Sequence, residues 1–150
     1  MHILIVNDDG PSSKSSPIIT TFVATLENAG HTISVVLSHV TRSWMSKAHI
    51  RNVTFEPEYY VPEGQNANNS PPSRWTIASC SPAGCVQLGS FHLFPQLSPV
   101  GIIISGPSYG RNVTSISNLC SGTLGAAMEA ALCRRKSYST VVFLFQDRKP

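Results

Sequence analysis

The 150-residue sequence has few charged residues and lacks the long apolar segments that cross membranes. Charged side chains make up 13% of the chain and the formal net charge is +3, whereas soluble domains usually carry about 25% charged residues. So small and scattered an excess of positive charge does not indicate nucleic-acid binding. No apolar run reaches the roughly 18 residues that a membrane span requires. We therefore expect a protein that binds neither nucleic acid nor a membrane.

The sequence also lacks the cysteine spacing and the leader that mark exported or zinc-binding proteins. It contains four cysteines, Cys80, Cys85, Cys120 and Cys133, with no Cys-x-x-Cys pair among them. No basic segment followed by an apolar stretch and a cleavage site opens the chain, so no signal peptide is visible. We expect a cytoplasmic protein with reduced, buried thiols and no disulfide or zinc site.

Common nucleotide-binding and zinc-protease motifs are missing as well. No Gly-x-Gly-x-x-Gly follows the first predicted strand, and no Gly-Lys-Ser or Gly-Lys-Thr occurs, which excludes the dinucleotide and P-loop fingerprints. The five histidines show no His-x-x-x-His spacing. A nucleotide, if one binds, must be held by other groups.

A short apolar segment that ends in two carboxylates is the most informative feature present. The β-branched run Ile3–Val6 predicts a buried strand, and Asn7, Asp8, Asp9 and Gly10 follow it directly. Adjacent carboxylates repel each other unless a cation neutralises them, and oxygen ligands of this kind suit Mg²⁺, Mn²⁺ or Ca²⁺. The alternative reading is a solvated turn between a strand and a helix.

The next segments predict a strand–helix–strand unit. Ser16 is suited to cap a helix, Pro17 to occupy its first turn and Gly30 to follow its end. Thr32–Leu37 then predicts a second strand. Such a βαβ unit places the two strands parallel with a right-handed crossover.

The remaining segments extend this pattern to a three-layer, doubly wound (Rossmann-like), mostly parallel α/β sheet with a β-hairpin insertion. We expect one domain over residues 1–150. The predicted elements are a hairpin of Val53–Val61 and Trp75–Ser79 joined by Pro62–Pro72, a helix at Pro82–Phe94, a strand at Val100–Ile104, a helix at Gly122–Cys133 and a strand at Thr140–Phe145.

Polar segments follow several of these strands, and ligands bind at the carboxyl ends of parallel strands. The segments are Asn7–Asp9, Ser38–Ser46, Ser105–Asn112 and Ser121–Thr123. The last of these begins a helix, whose N–H groups favour an anion, and Arg42 or Arg111 could hold a phosphate. Together they suggest phosphoryl transfer to water with a metal on the aspartates. An ordinary helix cap and surface arginines are the alternatives.

Five ordered motifs resemble those of the SurE (survival protein E) family, and especially its fungal branch. The family is one of metal-dependent 5′/3′-nucleotidases and acid phosphatases. The motifs are Asn7-Asp8-Asp9-Gly10, Arg42-Ser43, Ser81-Pro82-Ala83 with Cys85-Val86, Ser105-Gly106-Pro107 to Gly110-Arg111-Asn112, and Ser121-Gly122-Thr123 with Ala126-Ala127-Met128-Glu129.

The resemblance implies a role for each matching position. It implies that Asp8 and Asp9 are catalytic and that, together with Ser43, they bind the metal, Mg²⁺ or Mn²⁺. It implies that Asn112, Ser121, Gly122 and Thr123 bind the phosphate of a small phosphomonoester, a nucleoside monophosphate above all.

Two departures from the family pattern keep a second reading open. Ser108 stands where the family supplies a metal-binding asparagine, so we expect weaker metal binding. Family members also continue beyond the position of Pro150, so the domain is expected to be incomplete at its C-terminus, and homodimer formation stays open. The alternatives are a catalytically weak or inactive relative that binds nucleotide or protein, and an unrelated α/β binding module.

Three further side chains near Ser43 are weighed for accessory roles. His39 or His49 could protonate a leaving group, although neither role is favoured by the sequence. Trp44 could stack on a base, but packing of its ring over the loop is the favoured reading.

Overall fold

The computed structural model is a six-stranded sheet with helices on both faces. It describes residues 1–11, 16, 18–52, 54, 56–62, 74–109 and 114–142, with only the backbone for Arg74 and Tyr109. The elements in chain order are β1 (His2–Asn7), α1 (Ile19–Asn28), β2 (Thr32–Ser38), β3 (Glu58–Tyr60), β4 (Arg74–Ala78), α2 (Pro82–Phe91), β5 (Ile102–Tyr109), α3 (Ser115–Cys120), α4 (Gly122–Leu132) and β6 (Ser137–Val142).

The strand order is β3-β4-β2-β1-β5-β6, and every pair except β3–β4 is parallel. This arrangement confirms the predicted mostly parallel α/β sheet. Strand β1 lies between β2 and β5, so its carboxyl end opens at the middle of the sheet edge where ligands bind in such folds.

The predicted hairpin is present in a shorter form. Only Glu58–Tyr60 of its first arm is a strand among the described residues, and it pairs antiparallel with β4. Strand β4 also pairs parallel with β2, so the second arm is a full member of the sheet. Consecutive residues of β4, Trp75 and Thr76, are both buried, because successive side chains point to opposite faces and the sheet is covered on both.

Alternate residues of β1 supply two separate apolar cores. Leu4 and Val6 pack with residues of α2 and α4 on one face, whereas Ile3 and Ile5 pack with Ile19 of α1 on the other. This alternation follows from the two-residue period of a strand, and each fully buried side chain contributes roughly 1.5–3 kcal/mol. The result is the predicted three-layer arrangement.

The start of α1 differs from the prediction. The N-cap is Ile18 and makes no side-chain cap, so the expectation that Ser16 caps this helix is wrong; Pro17 lies outside the described residues. The Ser16 hydroxyl instead accepts a hydrogen bond from Asn7 Nδ2 at 3.4 Å. At the other end, Gly30 follows the helix with φ +82°, as its position past the last turn predicts.

The second half of the chain shows the largest differences. Strand β5 continues through Ser105–Tyr109, which the sequence assigned to a loop, because pairing with β6 resumes beyond an irregularity between Ser105 and Ser108. Helix α3 was not predicted, and α2 ends at Phe91. Strand β6 begins at Ser137, three residues before the predicted start; residues 143–145 of that prediction lie outside the described residues.

Within the described parts of the chain, every helix is too short or too polar to cross a membrane.

Candidate active site

Asp8 and Asp9 lie at the carboxyl end of β1 and are almost fully buried, with 3% and 6% of their surfaces exposed. Asn7 fixes this turn from inside the protein. Its Nδ2 donates to the Pro107 carbonyl at 2.7 Å, and its Oδ1 accepts from the Asp9 backbone N–H at 2.6 Å. The Asn7 amide therefore ties the end of β1 to β5 and fixes the backbone of the turn that carries the two aspartates.

The start of α4 meets the Asp8 carboxylate directly. The Thr123 hydroxyl donates to Asp8 Oδ1 at 2.8 Å. Ser121 is the N-cap, and its hydroxyl accepts from the Leu124 N–H at 3.2 Å. The partial positive charge at the start of a helix stabilises a nearby carboxylate, so α4 offsets part of the cost of burying Asp8.

Gly122 makes this approach sterically feasible. A Cβ at residue 122 would lie 2.9 Å from Asp8 Oδ2 and 3.0 Å from the Arg42 carbonyl oxygen. Both distances are shorter than ordinary van der Waals contacts, so a side chain here would push the carboxylate or the loop away. The Ser-Gly-Thr segment thus packs so closely against Asp8 that any larger residue at position 122 would displace one of these neighbours.

The loop after β2, residues 39–48, covers the same edge. The Arg42 N–H donates to the Asp8 carbonyl at 2.7 Å, the Thr41 hydroxyl donates to the Asp9 carbonyl at 3.3 Å, and the Ser46 N–H donates to the Cys120 carbonyl at 3.0 Å. The loop is therefore fixed both to the end of β1 and to the last residue of α3, two residues before α4. Ser43 lies within this fixed loop, with its side chain exposed.

An ion-pair network holds the far end of this loop on α4. Lys47 Nζ lies 2.6 Å from Glu129 Oε2, and Gln87 Nε2 donates to Glu129 Oε1 at 2.6 Å. Burial opposes ionisation of the Glu129 carboxyl, but the hydrogen bonds from Lys47, Gln87 and His49 outweigh it and lower its pKa. At Gly125, an added Cβ would collide with the Ser46 carbonyl. The loop therefore rests directly on the helix backbone.

The sequence analysis did not identify Lys47, Gln87, Gly125 or Glu129 as residues that support the site. One signal was available: Glu129 is a single acidic residue on the otherwise small and apolar face of the predicted helix. A buried carboxylate must be paired, which would have called for a cation from elsewhere in the chain.

The structure brings Asp8, Gly122 and Thr123 into contact and places Asp9, Ser121 and the Ser43 loop beside them. Asn112 and Arg111 lie outside the described residues. Ser108 is buried within β5, opposite Val141 of β6.

The accessory side chains differ in their surroundings. His49 Nε2 lies 3.5 Å from Glu129 Oε2, and His39 is exposed at the end of β2. The Trp44 side chain is 71% exposed and its backbone has φ +67°. With so much of its surface exposed, the ring does not pack closely over the loop, so the favoured reading is wrong.

The donor chemistry at this edge fits a hard divalent cation. Two adjacent, nearly buried carboxylates lie beside the Thr123 hydroxyl, and the glycine at position 122 allows the start of α4 to approach Asp8 closely. Carboxylate and hydroxyl oxygens suit Mg²⁺ or Mn²⁺. Among the described residues no group of three or more His, Cys, Asp or Glu side chains could hold a metal, so neutral oxygens would have to complete the ligand set.

Comparison with known proteins identifies a family. Residues 3–147 match the family model described as survival protein SurE. The chain is 31% identical over 132 residues to the 5′-nucleotidase SurE of Synechococcus sp. (strain CC9311), covering 88% of the chain and 46% of that protein. It is 30% identical over 149 residues to the 5′-nucleotidase SurE of Actinobacillus pleuropneumoniae serotype 5b, covering 99% of the chain and 51% of that protein.

Two further matches extend the comparison. A yeast protein, the probable tubulin–tyrosine ligase PBY1 of Saccharomyces cerevisiae, is 30% identical over 162 residues, which cover 88% of the chain and 21% of that protein. The crystal structure of the SurE protein from Aquifex aeolicus superimposes with a TM-score of 0.74 at 21% identity, over 98% of the chain and 53% of that structure. The chain thus spans about half the length of the SurE proteins it matches and shares their fold.

Proposed function

The chain belongs to the SurE family, and on this basis we propose that it removes phosphate from nucleoside monophosphates with the help of a divalent metal ion. The observation that carries the proposal is the contact between two of the polar segments, Asn7–Asp9 at the end of β1 and Ser121–Thr123 at the start of α4. The Asp8 carboxylate is buried at the end of β1, hydrogen-bonded to Thr123 and facing the glycine at the start of α4.

Asp8 and Asp9 would hold the metal, with Ser43 as a neutral ligand from the adjoining loop. A bound Mg²⁺ or Mn²⁺ would supply Lewis-acid chemistry, which polarises a phosphate oxygen and lowers the pKa of a bound water. Asn7 and Thr123 keep the two carboxylates oriented, because each makes a direct hydrogen bond within the turn or to Asp8. This fixed orientation avoids the cost of arranging the ligands during the reaction.

The start of α4 is the proposed phosphate site. Backbone N–H groups and hydroxyls of Ser121, Gly122 and Thr123 suit an anion, and we propose that Asn112 adds an amide donor. Arg42 supplies a cationic side chain from the loop, and its Nε finds no hydrogen-bond partner in the described part of the chain. A guanidinium with a free donor is suited to bind a phosphate oxygen.

Trp44 favours a nucleotide over a simple phosphomonoester. It lies between Arg42, which is bonded to the Asp8 carbonyl, and Ser46, which is bonded to Cys120 just before the phosphate segment. An exposed indole held at this position can stack on a base, an interaction worth roughly 1–3 kcal/mol. We propose that it determines the preference for the nucleoside part of the substrate.

Phosphate release from AMP in the presence of Mn²⁺ tests the function. We expect turnover by the unmodified chain and a loss of at least about 100-fold in Asp8→Asn, since one metal-bearing carboxylate is removed. Glu58→Gln is the matched control, because this carboxylate is exposed on the short edge strand β3. Equal turnover in Asp8→Asn and the unmodified chain would contradict the proposal.

Comparison of AMP with glycerol phosphate tests the substrate class. In Trp44→Ala, kcat/KM for AMP should fall roughly 5- to 150-fold from lost stacking, with little change for glycerol phosphate. Trp44→Phe should retain most of the preference. A parallel loss for both substrates would assign Trp44 to loop structure instead.

A non-catalytic relative is the second candidate, and Ser108 favours it. Its hydroxyl is a shorter and weaker metal donor than the amide that the family pattern has at this position, and it is buried in β5. Thermal unfolding with and without Mn²⁺ separates the two, because a ligand bound to the native state raises the midpoint. A midpoint that is indifferent to Mn²⁺, but rises with it in Ser108→Asn, would favour the inactive relative.

A further inference from the structure

Two cysteine thiols lie in contact beside the candidate site. Cys80 Sγ and Cys85 Sγ are 3.3 Å apart, just before and within the first turn of α2. The Cys85 sulfur also lies 3.9 Å from the Ser38 hydroxyl at the end of β2. Closing the pair to a bond of about 2.05 Å needs a shift of little more than an ångström, at a position where the chain enters a helix.

The two sulfurs are not equivalent. Cys85 is completely buried. Cys80 is 8% exposed to solvent, and the residue before it, Ser79, is exposed. The hydrogen bond with the Cys85 thiol lowers the pKa of Cys80 against the opposing effect of burial, and the Arg42 guanidinium lowers it further. The same contact, together with burial, raises the pKa of the Cys85 thiol. Cys80 is therefore the better nucleophile, and Cys85 keeps its proton.

The geometry points to a modification site: we propose that Cys80 and Cys85 form an oxidisable dithiol, which a hydroperoxide converts into an intramolecular disulfide. Cys80 reacts with the hydroperoxide first because it is the more accessible sulfur, and Cys85 then attacks the oxidised Cys80 sulfur to form the disulfide. This site involves neither Asp8 nor Asp9 and does not depend on the proposed phosphatase activity.

The chemistry balances with the hydroperoxide as the oxidant. The Cys80 sulfur attacks the terminal peroxide oxygen, so that an S–O bond forms, the O–O bond breaks, and the released oxygen leaves as water or an alcohol after taking up a proton. The Cys85 sulfur then attacks the sulfenic acid on Cys80. The S–S bond forms, the S–O bond breaks, and the hydroxyl leaves with the Cys85 proton as water. The two thiols lose two electrons, and the peroxide gains them.

The other two cysteines provide a control within the same molecule. Cys120 and Cys133 are both partly buried and free, at opposite ends of α4. Cys133 donates a hydrogen bond to Glu129 at 3.8 Å, and burial together with the nearby Glu129 charge raises its pKa. If exposure to solvent alone decided which thiols are oxidised, Cys120 and Cys133 would react first. The proposal requires instead that the more buried Cys80 and Cys85 are oxidised.

Peptide mapping distinguishes the two pairs because trypsin separates them. The sequence contains no Lys or Arg between residues 75 and 110, so one fragment, 75–111, carries Cys80 and Cys85, and the next, 112–134, carries Cys120 and Cys133. The reduced full chain is treated with hydrogen peroxide in small excess, denatured, labelled with N-ethylmaleimide and digested. Mass spectrometry then counts the labels on each fragment.

We expect fragment 75–111 to lose both labels and two hydrogens while fragment 112–134 keeps both labels, and dithiothreitol should restore the lost ones. Parallel loss from both fragments, or addition of oxygen to Cys80 without the cross-link, would overturn the proposal. In Cys80→Ser, Cys85 should keep its label at the same peroxide dose; oxidation of Cys85 at the rate of the unmodified chain would also overturn it. The fragment comparison needs no variant, so it decides the matter even if Cys80→Ser does not fold.

Discussion

Helices α1 and α4 cover the same sheet from opposite sides, yet they differ in what they bury. Helix α1 buries two aliphatic residues, Ile19 and Val23. Helix α4 buries mainly glycine and alanine, together with Thr123 and Glu129. The first helix covers the sheet through aliphatic packing, in which one apolar side chain can replace another. The second is a platform whose small residues admit a loop and a carboxylate to the helix backbone.

The difference explains where the candidate site lies. The loop and the Asp8 carboxylate can approach α4 closely only where the helix has no side chain, as at Gly122 beside Asp8 and Gly125 beneath Ser46. Small residues contribute little hydrophobic stabilisation, since burial scales with apolar area. Helix α4 therefore buries less apolar surface than a helix with larger side chains, but its N-terminus can be approached closely. The ion pair of Lys47 with Glu129 provides part of the interaction that holds the loop against the helix.

The sharpest test of this comparison changes side-chain size on the two helices: a buried residue of α1 is made smaller, and a buried glycine of α4 is made larger. Ile19→Ala should lower the free energy of unfolding by about 2–5 kcal/mol, as for other buried isoleucines, and leave the shift of the melting midpoint with Mn²⁺ unchanged. Gly125→Ala should cost about 1–3 kcal/mol through overpacking, although alanine favours a helix by about 1 kcal/mol. It should also reduce the Mn²⁺ shift, because the Ser43 loop is displaced.

Both quantities come from thermal melts and urea titrations with and without Mn²⁺. Ala131→Gly, on the exposed side of α4, is the matched control and should cost about 1 kcal/mol from propensity alone. A stabilised Gly125→Ala with an intact Mn²⁺ response would show that α4 does not serve as the platform for the loop.

The next test concerns the charge on Glu129. Its folded-state pKa lies below the ordinary value because the hydrogen bonds from Lys47, Gln87 and His49 outweigh burial. The carboxylate therefore contributes stability that is fully present above the unfolded pKa of about 4.3 and is lost as the pH falls through the folded pKa. Glu129→Gln should cost about 1–3 kcal/mol at neutral pH, and this difference should shrink below about pH 4.

Denaturant titrations of both proteins from pH 7 to pH 3 measure this dependence. Glu27→Gln is the control, because burial raises the pKa of Glu27. The contribution of Glu27 to the free energy of unfolding has the opposite sign to that of Glu129, because folding disfavours ionisation of Glu27. Removal of this carboxyl should therefore not destabilise the protein at neutral pH. A difference between Glu129→Gln and the unmodified chain that grows as the pH falls would contradict the assignment.

The smallest expected effect compares two serine N-caps. Ser121 caps α4 and Ser81 caps α2, each accepting a hydrogen bond from a backbone N–H three residues later. Replacement by alanine should cost about 1 kcal/mol at either position. Only Ser121→Ala should also weaken binding of inorganic phosphate, measured by isothermal titration in the presence of Mn²⁺. Equal weakening in Ser81→Ala would mean that the start of α4 is not the phosphate site.

The sequence predicted the elements whose signals are local. The Ile3–Val6 run and the small-residue segment from Gly122 each have a hydrophobic pattern and end residues that identify the element without reference to the rest of the chain. Both elements were found within a residue or two of their predicted positions. The polar ends that follow β1 and precede α4 could be placed at one edge because parallel strands share a direction.

What failed depends on contacts between distant segments. Gly106 and Pro107 are typical strand breakers, so the sequence ended β5 before them, yet pairing with β6 carries the strand to Tyr109. The pairing of Lys47 with Glu129 spans 82 residues, and nothing local to either residue identifies its partner. Ser16 has the right chemistry for a cap but is held by Asn7 instead.

The hydrogen bonds that define the candidate site have a consequence for how the protein folds. Asn7 reaches Pro107 across 100 residues, and Thr123 reaches Asp8 across 115. Contacts of such sequence separation form late, because the chain entropy of closing the loop must be lost before they contribute. During synthesis, the β1–α1–β2 unit can assemble early, but the Asp8 carboxylate acquires its hydrogen bond from Thr123 only after α4 has left the ribosome.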